Sequence, residues 1–258
     1  MGKGLYTMTL RPTIVTLLSI TTILLLWQGL VWGLQLPPYL LPTPLAVGKS
    51  LVLHAPLLAL HTSTTLQEIF YGFALGTGCG IGFAVILFSL PKIRPFFLPL
   101  LLISQALPVF ALAPLLVLWA GYGMASKVIM ASLIVFFPVT NALYDGLKAT
   151  PTAWVDLARS ITGTQRWLIL WRIHLPAALP ALGSGLKLAA TFAPIGAVIG
   201  EWVGSGKGLG YLMLHANARM QIDLMFAALS ILAVITISLY GLAHAFTHHF
   251  SQRQQEII

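Results

Sequence analysis

Residues 156–180 read DLARSITGTQRWLILWRIHLPAALP, the longest stretch of this chain that is both charged and patterned. Around its start, Trp154, Leu157, Ala158 and Ile161 recur at i, i+3, i+4 and i+7, which places them on one face of a helix. Thr152, after Pro151, has the chemistry of an N-cap. Gly163 is expected to break this helix. A second short helix, about 165–174, would carry Trp167, Leu170, Trp171 and His174 on one side. Leu175-Pro176 is expected to end it, because proline removes a backbone donor and restricts the residue before it. Two short helices hinged on a glycine, set between long apolar runs, make a knob on which a soluble partner can dock.

The apolar runs around the knob define the class. Charged residues are 8% of the 258 and hydrophobic ones 58%, whereas a soluble domain carries about 25% charged residues. A span needs about 20 apolar residues. Six such stretches are read, at 14–34, 66–90, 96–119, 128–144, 181–200 and 224–245. The fold class is therefore an all-α polytopic membrane protein, with one domain over 1–258 and a cytoplasmic loop at about 148–180. The first span is read as a retained anchor rather than a signal peptide. Residues 46–60 are expected to lie along the membrane surface. Gly72, Gly76 and Gly80 repeat every four residues in the second span, and Gly78 with Gly82 forms another small-xxx-small pair, the pattern that lets helix backbones approach closely in lipid. Cys79 is read as a small buried hydrophobe.

The net charge of +8 follows the loops. Lys3, Arg11, Lys92, Arg94, Lys148, Arg159, Arg166, Arg172, Lys187 and Arg253 fall on the side of the knob. Only Lys49, Lys127, Lys207 and Arg219 fall on the other. By the positive-inside rule the knob and both termini are cytoplasmic.

The spacing Gly163, nine residues, Ile173, one residue, Leu175-Pro176 resembles the second half of the EAA motif of membrane subunits of binding-protein-dependent ABC importers. The order of spans fits along nearly the whole chain. The run QALPVFALAPLLVLWAGYG at 105–123 resembles the branch with alkanesulfonate, taurine, nitrate and pyrimidine permeases. In that family Glu-Ala-Ala ends four residues before the glycine. Here that register reads Leu157-Ala158-Arg159, and Asp156-Leu157-Ala158 fits only with one extra residue before Gly163. The resemblance implies a type I importer permease in a bacterial inner membrane. It implies an ATPase-coupling set of Asp156, Ala158, Gly163, Ile173, Leu175 and Pro176. Arg166, Trp167 and Trp171 join that set as large docking anchors, Trp167 and Trp171 sharing one helical face. The lipid headgroup layer is the other place for the tryptophans. It also implies separate ATPase subunits that bind ATP and Mg, an extracytoplasmic solute-binding protein, and a second permease copy. Residues 199–229 look most like permeases for hydroxymethylpyrimidine-type thiamine precursors, with alkanesulfonate, taurine or nitrate as the other solutes of the branch.

Other chemistries find little support. GSGKG at 204–208 departs from a phosphate loop: Gly200 precedes Gly206 by six residues rather than five, and Gly208 stands where Ser or Thr is required. It reads as a flexible turn before a surface helix. The histidines show no metal-ligand spacing, and no Gly-x-Ser-x-Gly elbow occurs. A secondary transporter not driven by ATP would place acidic relays inside spans. Glu68, Asp145, Glu201 and Asp223 are all read at span ends, which favours the ATP-driven importer.

Overall fold

Small residues at intervals of four set the packing of this protein. The computed structural model describes residues 12–106, 108–162 and 165–255, and no strand occurs among them. The helices are α1 (Pro12–Gly33), α2 (Pro44–Leu53), α3 (Ala55–Ser89), α4 (Arg94–Ala106), α5 (Val109–Ala120), α6 (Met124–Lys148), α7 (Thr152–Thr162), α8 (Arg166–Ile169), α9 (Leu175–Gly204), α10 (Leu209–Ala218) and α11 (Ile222–Gln255). A π-helical turn, Leu170–His174, joins α8 to α9. Among the described residues, 5 helices are long and apolar enough to cross a membrane: 14–33, 55–89, 124–148, 166–204 and 222–247.

The core is a sandwich of α3, α6 and α9, with α6 packed most extensively against the other two. On α3 the buried stripe is Glu68, Gly72, Gly76, Gly80 and Ala84. On α6 it is Lys127, Ala131, Val135, Val139, Leu143 and Leu147. On α9 it is Gly185, Ala189, Ala193, Ala197 and Glu201. Residues four apart share a helix face, so each stripe is one seam. The seams are tight. A Cβ at Gly76 would lie 2.6 Å from the Ser132 carbonyl oxygen, and one at Gly196 would lie 2.7 Å from Ala131 Cα. At Gly80 the Phe136 carbonyl oxygen would be 3.0 Å away, and at Gly72 an added Cβ would collide with that of Ala131. Between helices in lipid, such close contact supplies the dispersion attraction that holds the bundle together. By contrast, nothing lies within 4 Å of a Cβ added at Gly78 or Gly82.

The other helices close around this centre. Helix α11 packs on α9 and α10 and also covers α2. Helix α1 is peripheral, pinned near its end by Trp27, whose Nε1–H donates to the Pro42 carbonyl at 3.0 Å.

Several expectations need correction. The expected third span, 96–119, is two apolar helices, α4 and α5. Pro108 stands between them in extended geometry (φ −65°, ψ 106°), and it has no N–H with which to continue α4. The stretch 46–60 is not one surface segment: it divides at His54 between α2 and α3. Helix α3 therefore starts eleven residues before the expected span. Leu175-Pro176 does not end a helix. The Leu175 N–H donates to the Leu170 carbonyl, five residues back, and this wider turn lets the chain pass the proline ring unbroken. Thr152 is the first residue of α7, not its cap; the Pro151 carbonyl accepts from the Trp154 N–H at 3.1 Å. Cys79 is exposed rather than buried.

The glycine contacts make a paired prediction. Gly76→Ile forces a branched side chain into the Ser132 backbone and should destabilise the bundle by about 1–3 kcal/mol or more. Gly78→Ile should leave it near wild type. The check is the yield and thermal midpoint of monodisperse protein in detergent; equal losses for the two variants would refute the packing argument.

Candidate functional site

The knob is built as a half-buried, half-exposed element. Val155, Ile169 and Leu170 are buried and fasten it to the bundle. His174 adds a polar tie: its Nδ1–H donates to the Leu147 carbonyl at the end of α6 at 3.2 Å, and its ring meets Phe88 of α3 at 4.7 Å. The opposite side carries large apolar groups with no partner cluster beneath them. Trp154, Leu157 and Ile161 on α7 are exposed, as are Trp167 (63%) and Trp171 (52%) beyond it. The two tryptophan rings meet edge-on at 5.5 Å, as side chains four apart on one helical face do. Arg166 is exposed beside them, and Ile173, Leu175 and Pro176 are half-buried. Asp156 pairs with Arg159 at 3.2 Å; both are exposed, so the pair adds at most about 1 kcal/mol. Ala158 is half-buried on α7. Gly163 lies outside the described residues. A cavity of about 780 Å³ opens between the knob and the end of α3, with Arg159, Arg166 and Trp167 at its rim and Phe88 and His174 inside.

The far end of the bundle holds a site that sequence reasoning missed. Glu68 and Glu201 are each 1% exposed. Glu201 does stand at a span end, in the last turn of α9, but Glu68 stands in the interior of α3 rather than at its end. The Glu201 carboxylate accepts from the Thr65 hydroxyl at 2.6 Å, from the Gly210 N–H, and from the Tyr211 N–H at 3.3 Å. Thr65 Oγ1 accepts from the Leu209 N–H at 2.8 Å, and His61 Nδ1 accepts from the Gly208 N–H at 2.9 Å. The first backbone donors of α10, which no helical carbonyl can satisfy, are thus taken up by α3 and α9. A carboxylate is favourable there because the helix dipole is positive at that end.

The glycine-rich turn is therefore not a flexible surface loop. Gly208 is buried at φ +112°, a conformation that glycine adopts freely. A Cβ there would overlap the Glu201 carboxyl group. The turn does cradle an anion, as phosphate loops do, but the anion is the chain's own glutamate. Lys127, expected in a loop, is buried too. Its Nζ donates to the Gly123 carbonyl at 2.8 Å, and its stem packs on Gly200. Glu68 stands beside Glu201 and within Coulombic range of Lys127, and its Oε2 is buried without a hydrogen-bond partner among the described residues. A signal for this cluster was present. Glu68 sits four residues before Gly72, Lys127 four before Ala131, and Glu201 four after Ala197, so each extends a small-residue seam.

Known proteins share this architecture. Residues 72–255 match the model of a family described as "binding-protein-dependent transport system inner membrane component". A probable ABC transporter permease protein of Haemophilus influenzae is 53% identical over 234 residues, covering 91% of this chain and 95% of that one. The formylaminopyrimidine transport permease protein ThiX of Halalkalibacterium halodurans is 38% identical, covering 78% and 80%. The riboflavin transport system permease protein RibX of Chloroflexus aurantiacus is 36% identical, covering 88% and 85%. Among solved structures, an inward-facing MetNI methionine ABC transporter chain superposes with a TM-score of 0.62 at 17% identity, covering 72% of this chain and 93% of that one. At that identity the likeness speaks for the fold.

The clamp at the far end yields a prediction. Glu201→Ala leaves the Gly210 and Tyr211 N–H groups without an acceptor, at about 1–3 kcal/mol each, while the Thr65 hydroxyl retains the His61 carbonyl at 3.2 Å. The turn should open, and trypsin should cut after exposed Lys207 more than about tenfold faster, since 1.4 kcal/mol is one factor of ten. An unchanged cleavage rate in membrane-inserted protein would show that the turn is held elsewhere.

Proposed function

The chain belongs to the binding-protein-dependent transport system inner membrane component family, the permease subunits of ABC importers, and we propose that its solute is a hydroxymethylpyrimidine-type thiamine precursor. As such a subunit it is a multi-pass inner-membrane protein and not itself an ATPase; hydrolysis belongs to a separate subunit. Support for the solute comes from the 38% identity to a permease named for formylaminopyrimidine transport.

In this reading both termini and the knob are cytoplasmic, and α4 and α5 together make the third of six crossings. Two copies of the chain enclose the pathway. A solute-binding protein delivers the pyrimidine from outside. Two ATPase subunits, holding ATP and Mg, seat their grooves on the two knobs and draw them together. The helix that starts at Arg166 runs unbroken to Gly204 over 39 residues. At 1.5 Å per residue it is roughly 58 Å long, against about 30 Å of hydrocarbon. It carries Trp167 at one end and Glu201 at the other. Displacement of the knob therefore moves the clamp, and the far end opens and closes in step with ATP.

Two measurements test this. Vesicles holding the chain with its ATPase and binding protein should take up labelled 4-amino-5-hydroxymethyl-2-methylpyrimidine only with ATP. ATP-driven taurine uptake without pyrimidine uptake would reject the solute. For docking, Trp167→Ala and Trp171→Ala should each cost about 2 kcal/mol of ATPase affinity, roughly thirtyfold, as tryptophan anchors do. Titration of the ATPase against permease in nanodiscs reads this directly. Equal affinities for both variants and wild type would move docking to the exposed Trp154, Leu157 and Ile161 face.

A further inference from the structure

A second cavity, of about 650 Å³, lies between α5, α6 and α9, away from both the knob and the clamp. Its volume is within the range of small-molecule sites, roughly 300–1,000 Å³. Its walls include the rings of Phe136, Phe137 and Phe192, and its polar groups come from Asn141 and Ser184. It opens outward past Leu188 and Phe192, which are 48% and 37% exposed.

We propose that this cavity is a solute half-site for an uncharged, planar heteroaromatic ring, an inference that rests on the permease reading above. Three observations carry it. First, no charged side chain lines the cavity. A sulfonate, taurine or nitrate ion entering it would lose its hydration with nothing to replace it. Second, the Asn141 amide is half-buried within a membrane-length helix and forms no hydrogen bond among the described residues. Polar side chains at such positions are costly and mark solute pathways. Pro138, one turn before Asn141, also leaves the Ile134 carbonyl without its usual helical donor, and both residues line the cavity. Third, the groups match a nitrogen heterocycle. An asparagine amide offers one donor and one acceptor side by side, the pairing by which asparagine reads the amino and ring-nitrogen edge of adenine. Phenylalanine rings provide faces on which a flat ring stacks. Ser184 donates to the Pro180 carbonyl at 3.3 Å, which leaves its oxygen free to accept.

The test uses single cysteines in the full chain, in membranes that also hold its ATPase, with Cys79→Ala as background. Ser184→Cys should react with a water-soluble methanethiosulfonate. Millimolar 4-amino-5-hydroxymethyl-2-methylpyrimidine or adenine should slow that reaction severalfold, whereas taurine should not. Adding Asn141→Leu should raise the concentration needed for protection about tenfold, the loss expected for one good hydrogen-bonded contact near 1.4 kcal/mol. Leu118→Cys, exposed on α5 and outside the cavity lining, should be indifferent to every compound. Leu188→Cys repeats the experiment if Ser184→Cys fails to reach the membrane. No labelling at either position, protection by taurine, or protection indifferent to Asn141→Leu would overturn the proposal. Protection by adenine alone would support the cavity while rejecting the pyrimidine as solute. Pyrimidine uptake without protection would do the reverse.

Discussion

The carboxylate of Glu201 at the start of α10 is the contact on which the far half of the molecule depends. It ties together three elements that also share an apolar core. Helix α9 supplies the anion, α10 supplies the backbone donors, and α3 supplies Thr65, which bonds both. A buried carboxylate in a membrane protein is tolerated only if its lone pairs are filled. Here they are filled by N–H groups that would otherwise be orphaned, so each group removes the other's penalty. The arrangement also dictates sequence: Gly208 because the carboxyl group leaves no space for a side chain, and Gly210 because Val198 and Glu201 press on it.

That contact in turn depends on the seams beneath it. Glu201 reaches Thr65 because α3 and α9 are both held close to α6 by glycine and alanine. A larger residue at Gly76 or Gly196 would push the helices apart by more than a hydrogen bond can stretch. Packing and polar clamp are therefore one device: the small residues bring the backbones together, and Glu201 at the end of the α9 seam fixes its register against α3 and α10.

Much of this was readable in the sequence, and the gaps have physical causes. The Ile173, Leu175-Pro176 spacing is legible by its resemblance to a family motif, and span composition and the glycine repeat follow from local rules. The misplaced span ends do not. Hydropathy counts Glu68 as a boundary because it averages over a window, whereas the structure buries Glu68 inside α3 beside Glu201, a residue distant in the chain. Pro176 looks like a stop because proline cannot serve an α-helix interior; here it falls in the first turn of α9, just after the π turn, where its missing N–H costs little. Pro99 and Pro114 stay inside helices while Pro108 separates two, and no local property of the three distinguishes them.

The buried acidic pair also bears on the choice between carriers. Carboxyl groups inside spans are the usual equipment of ion-coupled transport, and Glu68 with Glu201 would meet that description from position alone. The partners of Glu201 say otherwise. A relay carboxyl must exchange its proton with a pathway, yet Glu201 spends its oxygens on Thr65 and the backbone of α10, and the cavity lined by Asn141 and Ser184 contains neither glutamate. Glu201 sits instead at the end of the helix that also carries the exposed tryptophans of the knob. A group so placed is suited to hold one conformation and be pulled from it by a remote partner, which is the coupling an ATP-driven permease needs and a proton-driven one does not.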